Sequence, residues 1–385
     1  MPGAMSNPIV QFNFPTIIRF GAGAVEELAD YLKSNNIKHP LLVTDAIIAT
    51  LDFTRKLIRD VQQKGISISV FHDIHKNPVK SDVLQGRDAF DANQCDAIIG
   101  LGGGAAIDVA RAVALSIHHR DDLFKYDDLI GGDVFVTNAV PPFITIPTTA
   151  GTGSEVGRSA IIADDETHQK RILFSPKLLA NIVFADPLLT MDLPAAITAA
   201  TGMDALTHNM EAFLAKMSHP ICEGIALEGI LKIKNALKKA VLAPDLSSRG
   251  DMLLASMMGA IAFQKGLGVV HSLAHPLSSL LDTHHGLANA VNLPFGMEFN
   301  APACEEKFRR IARTLNLEGE PATAVVEWLK NLNEQLGIPN RLREIGVKME
   351  HLEPLADLAF ADFAHPNNPI PVSREDFRNL YTKAF

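Results

Sequence analysis

DAIIGLGGG, residues 96–104, passes from a short β-rich run into three consecutive glycines, and AAIDVARAVAL (105–115) follows at once. A compact apolar run, a glycine turn and then helical periodicity read as strand, tight turn and helix. The same alternation repeats on both sides. HPLLVTD (39–45) and ISISVFHD (66–73) are further β-rich runs, with helical stretches at 25–35 and 53–64 between them. FITIPTT (143–149) and NIVFADP (181–187) add two more. Strands alternating with helices across tight turns imply a parallel sheet wrapped by helices.

After Pro194 the character changes. AAITAATGMDALTHNMEAFLAK, ICEGIALEGILKIKNALKKAVL and DMLLASMMGAIAF are long, rich in Ala and Leu, and patterned at helical period. Pro194 suits the opening of a first helix. The expected architecture is an α/β nucleotide-binding domain over 1–193 and an all-helical metal-binding domain over 194–385. Its active site would be the cleft between them.

At 385 residues, two domains are the default. Apolar residues make up 47% and charged residues 21%, as in ordinary globular enzymes. The net charge of −9 argues against nucleic acid or an anionic membrane surface as partner. No run reaches the roughly 18 apolar residues of a membrane helix. MPGAMSNPIVQ (1–11) lacks the marks of a signal peptide, with Met5 an alternative start, so a cytoplasmic protein is expected. Cys95, Cys222 and Cys304 are far apart and form neither a CxxC motif nor a convincing nucleophile; Cys95 reads as a packed thiol.

Chemistry concentrates in four residues. Asp204 and His208 lie four apart in TGMDALTHNMEAF (201–213), which puts carboxylate and imidazole on one helix face. His271 opens HSLAHP, and His285 follows in HHGLANA. One carboxylate and three imidazoles suit a divalent metal and leave coordination positions for a substrate. In the first half, Gly102, Gly103 and Gly104 let backbone approach a phosphate at a helix N-terminus. That run is not the G-x-G-x-x-G fingerprint, and a plain strand-to-helix turn would also contain it. IPTTAGTGSEV (146–156) supplies a second loop of hydroxyls and glycines after another strand. Asp45, ending a strand, suits a ribose hydroxyl and repels the extra phosphate of NADP, which favours NAD; an ordinary turn Asp is the alternative.

VTD, LGGG, PTTAGTGSE, FADP, GMDALTH, GLGVVHSLAHPL and HHGLANA occur in that order. With them the chain resembles the iron-containing (group III) alcohol dehydrogenases, from about Phe12 to Phe377. The resemblance implies the two-domain fold above, NAD, and Fe²⁺ on Asp204, His208, His271 and His285, with Zn²⁺ suited to the same ligands. It places an extra active-site histidine at His275. It places diphosphate contacts at Gly102, Gly103, Gly104, Thr148, Thr149 and Thr152, and further cofactor contacts at Asp45, Asn77 and Lys170. A homodimer or larger assembly is implied too. Ala105 stands where many relatives have Ser, His284 where many have Pro, and Ile370 where Arg is frequent.

The expected reaction moves hydride between the nicotinamide and a small primary alcohol or diol, or the matching aldehyde, with the metal as Lewis acid. His275, one turn after His271, would relay the alcohol proton or else pack beside the ligands. A glycerol dehydrogenase-like enzyme is the near alternative. A dehydroquinate synthase-like lyase would use a glutamate and two histidines and so fits less well. His72, His75, His118, His119 and His219 read as mostly surface residues. Lys265 reads as a surface lysine or as recognising an anionic substrate end. Ile230, Leu231, Ile233 and Leu237 read as core.

Overall fold

The computed structural model describes residues 16–167 and 169–385. The reading of 1–11 lies outside them. Strands β1 (Ile17–Phe20), β2 (Pro40–Val43), β3 (Ser69–Phe71), β4 (Ala97–Gly102) and β5 (Phe143–Pro147) come first. The hairpin β6 (Ser159–Ala163) and β7 (Lys170–Phe174) follows, then β8 (Ile182–Ala185). Six strands form one parallel sheet in the order β1-β8-β5-β4-β2-β3, while β6 and β7 pair antiparallel. The sheet's helices are α1 (Leu28–Ser34), α2 (Asp52–Gln63), α3 (Lys80–Ala92) and α4 (Gly104–His118).

Both faces of the sheet are covered, so its strands are apolar on both sides. Alternate residues fall into different cores. Leu41, Val43, Ile98 and Phe143 point to one side; Leu42, Ile99, Leu101, Ile144 and Ile146 point to the other. The chain leaves β2 towards β3 and returns across it to β4. That reversal is the switch point at which open α/β sheets bind ligands beyond their strand ends. Asp45 and Gly102–Gly104 stand on either side of it.

The second half carries α5 (Ala195–Leu214), α6 (Pro220–Leu242), α7 (Leu246–Ala262), α8 (Val269–Leu281) and α9 (His285–Asn300). It continues with α10 (Glu305–Thr314), α11 (Pro321–Gln335), α12 (Leu352–Phe360) and α13 (Arg374–Ala384). Helix α5 is buried nearly all round between α6, α7 and α9, which explains its apolar character on every face. Leu206, Leu237, Leu253 and Phe213 are wholly enclosed, each contributing roughly 1.5–3 kcal/mol through burial. This helical core reaches the sheet through Ala150, Val156, Val183 and Ala185. Among the described residues, no single helix is long and apolar enough to cross a membrane.

Several expectations are corrected. His119 and His219 are buried rather than exposed. His119 Nδ1 lies 2.9 Å from the Leu115 carbonyl, and His219 accepts the Cys222 N–H at the start of α6. Lys265 is 1% exposed, so it is not a surface lysine. Its Nζ donates to the Phe213 carbonyl (2.9 Å) at the C-terminus of α5 and pairs with Glu223 (2.9 Å). Ile230, Ile233 and Leu237 are core, with Leu231 half-buried. All three cysteines are buried, and burial pushes the Cys95 and Cys222 thiols up to about 11.

Candidate active site

Three helices converge on one point. Helix α5 brings Asp204 and His208, α8 brings His271, and α9 opens with His285. One ligand atom from each of the four lies within 4.8 Å of all the others. Two metal–nitrogen bonds span about 4.2 Å, so small side-chain adjustments bring the set onto one ion. The His208 and His271 rings stack at 4.7 Å, and His271 and His285 are 5.5 Å apart. Burial pushes the His208 imidazole down to about 4, with Asp204 opposing and His271 assisting. Burial, with neighbouring His275, Lys170, His271 and His208, holds His285 well below the ordinary histidine range. Neutral imidazoles are the form that ligates a cation. Buried Nδ1 atoms of both His208 and His285 lack a hydrogen-bond partner. A hard carboxylate with three imidazoles, two carrying unpartnered nitrogens, fits Fe²⁺ or Zn²⁺.

Side chains outside this set hold it in place. Asn289, one turn after His285, donates to Asp204 Oδ1 (2.7 Å) and lies 3.1 Å from His285 Nε2. Glu211 Oε2 meets His271 Nδ1 at 2.6 Å. Both residues share helix faces with the ligands, since Glu211 is seven after Asp204 and Asn289 four after His285. That spacing is a signal sequence reasoning missed.

His275 lies on α8 with Nδ1 2.8 Å from Asp362 Oδ2. Ser272 and the Ala364 N–H donate to the other oxygen at 2.7 and 2.9 Å. Against the upward push of burial, His275, Ser272 and Ala364 hold Asp362 below the usual carboxylate range. Burial lowers the His275 pKa, with Asp362 opposing. The His275 ring stacks on His285 at 5.3 Å, and Phe363 packs on it at 5.2 Å. His285 is the open side of the cluster, its side chain 27% exposed.

The cofactor candidates gather at the strand ends. Gly102 has φ +146°, and a Cβ there would lie 2.8 Å from that of Ala106, so only glycine lets β4 turn directly into α4. No side chain caps the α4 N-terminus. Its free N–H groups, with Thr149 and Thr152 standing against Gly103 and Gly104, make a cradle that fits a diphosphate. Thr148 is buried, its N–H bonded to the Gly102 carbonyl. Asp108 and Arg111 fasten the second loop to α4. Ser154 Oγ donates to Asp108 (2.6 Å), and buried Arg111 donates to Ser154 Oγ (2.8 Å). Asp45 does two things at once. Its Oδ1 accepts the Ile47 and Ile48 N–H groups (2.9 Å each), while Oδ2 faces Gly102.

Asn77 and Lys170 face residues of the helical half. Asn77 Nδ2 donates to Asp282 Oδ1 in the α8–α9 connection. Burial lowers the Lys170 pKa against the pull of Asp362, Asp108 and Asp204. His284 is half-buried beside His285 with an unpartnered Nδ1. The Ile370 carbonyl accepts from Asn368 (2.9 Å), and nothing here explains its side chain.

A family profile described as "Iron-containing alcohol dehydrogenase" matches residues 15–187. One described as "Fe-containing alcohol dehydrogenase family, C-terminal" matches 198–385. The 4-hydroxybutyrate dehydrogenase of Cupriavidus necator is 36% identical over 95% of this chain and 97% of its own. A crystal structure of 1,3-propanediol oxidoreductase superposes with TM-score 0.94 at 33% identity, covering 98% of this chain and all of that one. Sulfoacetaldehyde reductase from Bifidobacterium kashiwanohense, in complex with NAD⁺, gives TM-score 0.88 at 26% identity, covering 98% and 99%.

Proposed function

The chain belongs to the iron-containing alcohol dehydrogenases and is a metal- and NAD-dependent oxidoreductase acting on CH–OH donors; from that premise we propose that Asp204, His208, His271 and His285 hold its metal. The observation that carries this is the convergence of their four donor atoms within 4.8 Å. Lewis-acid stabilisation of developing alkoxide and acceptance of hydride are the chemistry that metal and NAD supply when bound.

The chain's own residues do the rest. The α4 N-terminus after Gly102, Gly103 and Gly104 binds the diphosphate through backbone N–H groups, with Thr148, Thr149 and Thr152 across from it. Asp45 Oδ2 binds the adenine-side ribose and repels a 2′-phosphate, which selects NAD over NADP. Asn77 and Lys170 complete the cofactor contacts. His275 keeps its Nδ1 proton on Asp362, so Nε2 is free to take the alcohol proton. Phe263, 5.2 Å from His208, and Phe363 wall the site and exclude water.

The substrate in this reading is a small primary alcohol or diol, or the matching aldehyde, and the metal is Fe²⁺ with Zn²⁺ able to replace it. The nucleotide-binding domain spans 1–193 and the metal-binding domain 194–385. The protein works in the cytoplasm as a homodimer or larger homo-oligomer. A panel of short alcohols, diols, hydroxy acids and aldehydes followed by NADH absorbance tests the substrate class. Turnover confined to large or cyclic polyols would contradict it.

A further inference from the structure

Glu211 is 2% exposed, sits on the helix that carries Asp204 and His208, and is used by nothing in the reaction above. Its carboxylate crosses to the start of α8. Oε2 accepts the N–H groups of Gly268 (3.1 Å) and His271 (3.3 Å) and meets His271 Nδ1 at 2.6 Å. Oε1 accepts the Val270 N–H at 2.6 Å. Helix α8 has no cap from its own N-cap residue, so this carboxylate neutralises the helix end from outside. Gly268 leaves the room for it, since a Cβ there would come within 3.0 Å of Oε1.

Both Glu211 oxygens already accept backbone N–H groups, so Oε2 meets His271 Nδ1 as an acceptor. His271 Nδ1 therefore carries the proton, and the lone pair is left on Nε2. That Nε2 is the atom facing the ligand cluster, 3.4 Å from Asn289 Nδ2, which itself donates to Asp204. Four contacts from one carboxylate also lock α8 against α5, the two helices that must stay in register for three of the four ligands.

We propose that Glu211 is a positioning residue of the metal centre, fixing the tautomer and orientation of His271 and so raising metal affinity. The proposal rests on the metal reading above. Losing such a partner typically weakens metal binding by roughly 10–100-fold.

The test measures Zn²⁺ affinity of the metal-stripped full chain by competition with a chromophoric chelator, with circular dichroism and NADH fluorescence as checks on folding and on the nucleotide half. Four proteins are compared: wild type, Glu211→Gln, His271→Ala and Asn368→Ala. Asn368 accepts the Val269 N–H (3.1 Å) at the same helix end without touching the imidazole. The expected result is a Kd for Zn²⁺ raised about 10–100-fold in Glu211→Gln, raised further in His271→Ala, and changed far less in Asn368→Ala. Wild-type affinity in folded Glu211→Gln beside a weakened His271→Ala overturns this proposal and leaves the metal site standing. Wild-type affinity in His271→Ala overturns the metal reading itself. An equal loss in Asn368→Ala overturns the proposal too, because general loosening of α8 would then suffice. If Glu211→Gln does not fold, Glu211→Asp replaces it, with the charge kept and the carboxylate drawn back from Nδ1. Its Kd must also rise, and an unchanged value overturns the proposal.

Discussion

His275 Nδ1 lies 2.8 Å from Oδ2 of Asp362, 87 residues further along the chain, and this contact fixes the orientation of the imidazole. If His275 moves the alcohol proton, His275→Ala lowers kcat by about 10²–10⁴-fold. Asp362→Asn keeps the shape but admits the wrong tautomer, and is expected to lower kcat roughly tenfold or more. Zn²⁺ affinity stays near wild type in both. Steady-state kinetics beside a metal titration reads this, and a rise in KM with kcat unchanged would contradict the relay.

Asp45 holds a turn through Oδ1, and Oδ2 is the atom proposed above for the cofactor ribose. Asp45→Asn preserves an acceptor for Ile47 and Ile48 while removing the charge. The ratio of kcat/KM for NADP to that for NAD should rise roughly tenfold or more, the size of a screened charge–phosphate repulsion of about 1–2 kcal/mol. An unchanged ratio would assign Asp45 to the turn alone.

Glu155 is 2% exposed, and its Oε1 has no hydrogen-bond partner. Burial raises its pKa from 4.5 to about 7, against its own backbone N–H and Arg111. A folded-state pKa raised above the unfolded value contributes stability that is full below about 4.5 and is lost as pH rises through about 7. The contribution is about 3 kcal/mol, from about 1.4 kcal/mol per pH unit. Denaturant unfolding of wild type and Glu155→Gln at pH 5 and pH 8 should show the variant gaining about 2–3 kcal/mol relative to wild type at the higher pH. Parallel curves would rule this out.

Lys265 is held at the C-terminus of α5 by the Phe213 carbonyl and Glu223, which gives it a structural role. Lys265→Met removes one of two lysine donors to the Phe213 carbonyl, which keeps Lys307 (2.9 Å), while Glu223 keeps Lys307 (3.7 Å) and Arg310 (3.4 Å). A loss of about 1–3 kcal/mol in unfolding free energy is expected, with KM unchanged for every substrate. A selective rise in KM for anionic aldehydes would restore the recognition reading.

Much of this site was legible because its parts are local. Asp204 and His208 share one helical turn, and the glycines of 102–104 stand directly between a strand and its helix. What escaped was tertiary. Asp362 reaches His275 from a segment with no metal-like pattern. Glu211 and Asn289 stood at helical spacing from the ligands but resemble ordinary polar residues until the helices are packed. Lys265 reads as exposed because its partners, the Phe213 carbonyl at a helix end and Glu223 on another helix, are joined to it only by packing. In the fold, β1 was missed because an edge strand of four residues shows no buried run. The β6–β7 hairpin was missed because its half-buried residues break the apolar continuity of the central strands.

The central claim is that Asp204, His208, His271 and His285 together hold the metal on which alcohol oxidation depends. The most direct measurement follows NADH absorbance on chelator-stripped protein, before and after adding Fe²⁺ or Zn²⁺, for wild type and His271→Ala. The account predicts no turnover in the stripped enzyme, recovery in wild type with about one ion per chain, and none in the variant, while both still bind NADH. Full turnover without metal, or recovery in His271→Ala equal to wild type, would contradict it.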